Sequence, residues 1–262
     1  MELLNIIDPI QFRTFLLVLM RISIVLFMFP IFSSNMLPAQ LKAGLALILS
    51  LVFYTVVPVD LDRFPVDVIS TGLLIGMEAL VGMTLGLTVR IFFASVQLAG
   101  QVIGFQIGFA MINVLDPQTG ANVSIMDQIG YWLCLVIFLM VDGHHMILSA
   151  LIRSFELVPL GGAVLHKASL AKMMQYAADL FVLAIKIGAP VIAALLFVTV
   201  GFGLIAKFSP QMNVMIVAFP LKIAVGLFLF GFTMEIISIC TREYVGGLKQ
   251  SLLYLLYYSS GG

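Results

Sequence analysis

The chain has 262 residues, of which 62% are hydrophobic and 10% charged, against about 45–50% and about 25% in soluble domains. Too few polar side chains remain to cover a globule of this size, which excludes a soluble enzyme of one or two domains and, at the other extreme, a disordered chain. Thirteen Lys+Arg balance thirteen Asp+Glu, so no basic surface is available to hold nucleic acid. An integral membrane protein is expected.

The opening Met1-Glu2-Leu3-Leu4-Asn5-Ile6-Ile7-Asp8-Pro9 carries two acids and no base. The apolar stretch after Arg13 is therefore read as a retained helix and not a cleaved signal. Six stretches approach the length of a spanning helix, about 20 apolar residues: roughly 12–32, 41–59, 68–98, 129–152, 177–206 and 214–240. None alternates like a barrel strand, so helices must satisfy the backbone. Pro30 and Pro38 punctuate the first turn. Pro58 and Pro65 bracket a polar loop around Asp60, Asp62 and Arg63. Pro190 and Pro220 lie within the last two runs and are expected to kink them. The 68–98 run would make a helix of about 46 Å, longer than a bilayer core of about 30 Å, so it must tilt, break or extend beyond the membrane.

Six charges fall inside these runs: Arg21, Glu78, Arg90, Lys186, Lys222 and Glu235. Each costs about 2.5–3.5 kcal/mol at the centre of a membrane helix and so faces protein or water. An ion relay would need titratable groups side by side. Glu78 and Arg90 are instead about 18 Å apart along one helix, and four bases against two acids suit a cation path poorly. Snorkelling ends and helix-to-helix ion pairs are the expected roles.

Glycines recur every fourth residue at Gly100, Gly104 and Gly108, and in pairs at Gly72 and Gly76 and at Gly82 and Gly86. On a helix such a ridge admits another backbone closely. Gln97, Gln101 and Gln106 are interleaved with the longest ridge. Beyond it, Asp116-Pro117 followed by Gly120 is a turn signature. An irregular backbone at membrane depth is tolerated only inside protein or along a cavity. The stretch 106–124 thus has the properties of a movable plug. Phe109, Met111, Ile112 and Val114 would seal, Asp116 is its one acid, and Pro117 and Gly120 would stop a continuous helix.

Asp142, His144 and His145 invite a metal assignment. Adjacent helical residues point about 100° apart, and four ligands are not in view, so a structural or interface role is expected and no metal. Cys134 and Cys240 sit in apolar runs with no zinc spacing and read as buried thiols. No Walker loop, Rossmann fingerprint or catalytic triad occurs in its required context, so neither an enzyme nor a cofactor is expected. The aromatic tail 251–258 suits an interface anchor or a docking helix.

The order of these marks resembles the FliR family of flagellar export-gate proteins, shared with type III secretion systems. The marks are Arg21 with Pro30, then Leu37-Pro38-Ala39-Gln40-Leu41-Lys42-Ala43-Gly44, then Gly104-Phe105-Gln106-Ile107-Gly108-Phe109. Asp116-Pro117-Gln118-Thr119-Gly120 follows, then Asp142-Gly143-His144-His145 and Phe155. The family often has Asn where Asp142 stands. The resemblance implies an all-α membrane protein of kinked, inclined helical hairpins. A FliP-like part (1–176) would precede a FliQ-like hairpin (177–240) and a tail (241–262). It implies a non-enzymatic export-gate subunit at the basal body in the bacterial inner membrane. Its partners would be FliP-like, FliQ-like and FlhB-like proteins, the bilayer, and unfolded proteins in transit. It also places the loop from about Gln106 to Ser124 in the pore, and turns the charges in the runs toward partner subunits. The competing reading is a self-contained secondary transporter of a small solute. That class shows two matched repeats with broken helices, and the 100–124 region has no counterpart in the second half.

Overall fold

The computed structural model describes residues 9–33, 37–55, 57, 68–109, 125–164, 166–209, 211 and 213–259. Every regular element among them is a helix: α1 (Pro9–Met28), α2 (Pro30–Ser33), α3 (Ala39–Tyr54), α4 (Val68–Ile107), α5 (Ile125–Met140), α6 (Gly143–Leu157), α7 (Lys167–Phe208) and α8 (Val214–Ser259). The all-α membrane architecture expected from composition is therefore present.

Several boundaries follow from local chemistry. Pro30 cannot continue the ladder of α1, but its fixed φ suits the first position of α2. Pro159 stops α6, since the residue before a proline is pushed out of the helical region. Val158 has left it, at φ −123°, while its N–H still donates to the Ser154 carbonyl.

Other boundaries differ from the hydrophobic runs. The 129–152 run is two helices, because Asp142 adopts a left-handed conformation (φ 57°) between α5 and α6. The 41–59 run yields only a 16-residue helix, α3, about 24 Å long and short of a bilayer core. The 68–98 run continues to Ile107 as a helix of 40 residues. α7 begins ten residues before its run and continues through Pro190, and α8 continues through Pro220 and on through the aromatic tail. Among the described residues four helices are long and apolar enough to cross a membrane, or five spans if α5 and α6 together make a broken one. The six runs thus overstate the crossings.

The chain forms two compact units: residues 1–91, 142–177 and 245–262, and residues 92–141 and 178–244. In the first, α1 packs on α3, with Phe15 edge-on to Tyr54. α4 approaches α1 closely at two glycines. A Cβ on Gly82 would stand 2.9 Å from the Arg21 carbonyl oxygen, and one on Gly86 would stand 2.6 Å from Met28 Cβ. Gly72 and Gly76, the same spacing upstream, meet nothing within 4 Å. The core of the second unit joins Ile103 and Ile107 of α4, Met126 of α5, Val191 and Leu195 of α7, and Phe230 of α8.

Candidate functional site

In the second unit, α4 meets α5 at Gly100. A Cβ there would fall on the backbone of Asp127, so the two helices touch main chain to main chain. Gly104 is buried one turn on. Gly108 is not part of the ridge. It lies past the end of α4 at φ +104°, in the position where helices take a residue that needs no Cβ. Its N–H donates to the carbonyls of Gly104 and Phe105, and the Phe109 N–H also donates to Gly104. The main-chain contact is at Gly100, and Gly108 is a helix stop. α8 closes on the same place. Phe219 Cε2 lies 2.7 Å from where a Cβ on Gly108 would be, and Gly226 faces the side chain of Ile107.

Gln106 is exposed at the last turn of α4, and Phe109 packs against the core of this unit. Met111, Ile112, Val114, Asp116, Pro117 and Gly120 lie outside the described residues. What is visible is the post from which that segment departs, capped and held by packing on both sides.

One polar group at this post went unread. Asp127 is 5% exposed, and its Oδ2 accepts from Gln101 Nε2 at 3.1 Å. Its Oδ1 has no partner among the described residues. The apolar run in the sequence begins at 129, and Asp127 stands outside it. The signal was present in the spacing, because Asp127 shares its buried stripe with Gly130, Cys134 and Phe138. Around this stripe Phe93 meets Tyr131 and Phe138 edge-on. Phe92 stacks flat on Tyr244 at 3.9 Å. Thr241 Oγ1 lies 3.6 Å from Cys134 Sγ.

The first unit holds an ion pair. Arg21 and Glu78 are both 0% exposed and meet at 2.6 Å, Nε to Oε2. Arg21 Nη1 also donates to the carbonyls of Ser154 and Val158, at 2.8 and 3.0 Å. The Gly161 N–H donates to Glu78 Oε1 at 3.0 Å, and the guanidinium sits 4.5 Å from the centre of the Phe155 ring. One pair thereby ties α1, α4, the end of α6 and the loop after it. The Ser154 carbonyl accepts from the arginine as well as from the Val158 N–H, and the Val158 carbonyl lies just past the end of α6, where helical donors run out. The buried arginine serves both.

The other charges stand differently. Arg90, Lys186 and Glu235 are exposed and Lys222 is half-buried. None of the four makes an ion pair among the described residues. Arg90, Lys186 and Glu235 each sit near the middle of a helix of 40 residues or more. At the turn between α5 and α6, His145 Nδ1 lies 3.0 Å from Asp142 Oδ1. One atom each of Asp142, His144 and His145 lies within 4.8 Å of the others. The left-handed turn thus supplies a third polar group that helical spacing alone did not. The pair at 3.0 Å joins the first turn of α6 to the residue before it.

These features define a helical membrane protein whose long helices carry mid-length charges and a main-chain glycine contact. Residues 12–247 match the family described as bacterial export proteins, family 1. The chain is 35% identical to the flagellar biosynthetic protein FliR of Bacillus subtilis (strain 168), over 96% of this chain and 97% of that one. It is 28% identical to the protein of that name from Escherichia coli (strain K12), over 84% of each chain. It is also 28% identical to that of Aquifex aeolicus (strain VF5), over 88% of this chain and 89% of the other. The chain belongs to this family of bacterial export proteins, the FliR family, and is a membrane component of the flagellar export apparatus.

Proposed function

We propose that the chain is a pore-forming subunit of the protein export gate, working without catalysis, in the bacterial inner membrane at the flagellar basal body. It assembles there with FliP-like and FliQ-like subunits and an FlhB-like protein, and unfolded export substrates pass through the assembly. Residues 1–176 act as the FliP-like part, 177–240 as the FliQ-like hairpin and 241–262 as a tail. The segment 106–124 is the plug. The observation that carries this reading is the fixed departure point of that segment. α4 ends at Ile107, with Ile103 and Ile107 in the core and Phe109 packed against it, so the segment is held as far as Phe109 and the plug proper begins after it. A plug needs one end that does not move.

A second feature supports assembly. Charges exposed at the middle of apolar helices are costly against lipid. Arg90, Lys186 and Glu235 therefore face polar groups of partner subunits. Deleting Asn113 to Asn122 tests the plug. The assembled gate is expected to leak small ions, read as membrane conductance. Normal assembly with unchanged conductance would refute it. Isolating the intact complex and weighing it tests the partners, and a chain that is stable and complete alone would count against gate assembly.

A further inference from the structure

The gate reading leaves one surface of the first unit unused. It is a cavity of about 590 Å³ between α6 and the C-terminal end of α8. Arg153 and Glu156 line it from α6, and Tyr254, Tyr257 and Tyr258 from α8. Leu157 and Leu253 give it an apolar floor. On α8 the lining positions recur three and four residues apart, which puts them on one helix face. The two charges are the informative part. They stand three residues apart on one helix, where side chains are neighbours. Both are exposed, and neither makes an ion pair among the described residues. A positive and a negative group thus border the same space without pairing.

We infer that this groove binds one phospholipid with a primary ammonium headgroup, of the phosphatidylethanolamine class. The argument is complementarity group by group. The Arg153 guanidinium matches a phosphate diester, which it can hold through two N–H donors. Glu156 accepts N–H from the ammonium, and the tyrosine rings offer it their faces. Tyr254 and Tyr258 lie with ring centres 4.6 Å apart, and Tyr257 stands edge-on to Tyr258, so aromatic surface faces more than one direction. The volume falls within the range of ordinary ligand sites. Leu157 and Leu253 would meet the first acyl carbons.

Depth agrees with the chemistry. The tyrosines lie in the last two turns of a helix long and apolar enough to span, Ile216–Ser259, and tyrosine is the residue of membrane interfaces, where headgroups lie. Lys172 adds a charge nearby, 5.9 Å from the Tyr254 ring centre, but it does not line the groove. A choline headgroup would fill the aromatic part but has no N–H for Glu156. A glycerol headgroup has no cation at all.

The test uses the full chain, within its membrane complex, in nanodiscs of dioleoyl phosphatidylethanolamine, phosphatidylcholine or phosphatidylglycerol, read by native mass spectrometry after release. One phosphatidylethanolamine per chain is expected to be retained, over either other lipid by about tenfold, the ratio about 1.4 kcal/mol gives. Glu156→Gln should erase that preference while still retaining lipid, and Arg153→Ala should release all three lipids. Leu253→Trp, which fills the floor without touching a charge, should also empty the site, and guards against misreading a charge variant that fails to fold. Equal retention of the three lipids would overturn the proposal. So would preference unaltered in Glu156→Gln, or a cross-link from Gln250→Cys to a partner subunit lying in the groove.

Discussion

The two units of this chain solve burial in opposite ways. The first places a full ion pair in its interior and surrounds it with donors and acceptors from four segments. The second has an apolar core, a main-chain contact at Gly100 and, among the described residues, a single buried acid. A polar network fixes one arrangement because every alternative leaves a charge unpaired. A glycine contact fixes one because every larger side chain is excluded. The first should fail when a partner is removed, and the second when something is added.

Arg21→Leu should have the largest effect. It leaves Glu78 charged, buried and without its partner, a loss of about 3–5 kcal/mol. Thermal unfolding of the purified complex and flagellar motility both report it. The double variant Arg21→Met with Glu78→Leu should recover much of that loss, since a buried pair replaced by apolar groups of similar volume is often neutral. No recovery would mean that the bonds to Ser154 and Val158, and not the charge, are what matter.

Gly100→Ala should come next. Its methyl would meet the Asp127 backbone, and overpacking of a tight core costs about 1–3 kcal/mol. Unlike the ion pair, it has no rescue by changing a partner side chain, because what the methyl meets is backbone. Gly108→Ala should cost about 1–2 kcal/mol, because a side chain is placed in the left-handed region, and Phe219 stands in its way as well. Lower yield of assembled gate with this variant would mark the helix stop as structural. The smallest effect belongs to Gln101→Leu, which removes the side-chain donor to Asp127 at about 1 kcal/mol. Hydrogen exchange at the first turn of α5 is the sensitive measurement. If exchange there stays unchanged, the Gln101–Asp127 bond does not hold that turn.

Much of this was legible beforehand. The membrane class followed from composition, and the family from the order of short motifs. The cost of charge in an apolar run singled out Arg21 and Glu78, although only folding could show that they meet. What escaped notice had physical reasons. Hydropathy registers apolarity and not backbone geometry, so it could not see the left-handed turn at Asp142 that divides 129–152. Glycine spacing shows where a close approach is allowed, but the stop at Gly108 depends on φ. Asp127 was missed because a run was begun at its first strongly apolar stretch, while burial follows the helix face.

Cys134 has a practical consequence. It is 0% exposed and lies against Thr241, while Cys240, one residue earlier on α8, is only partly buried. The molecule therefore carries two natural thiols under unequal cover. A maleimide should reach Cys240 first, and should reach Cys134 only when α5 and α8 part. The ratio of the two labelling rates, taken within one sample, is an internal clock for how often that seam opens while export proceeds.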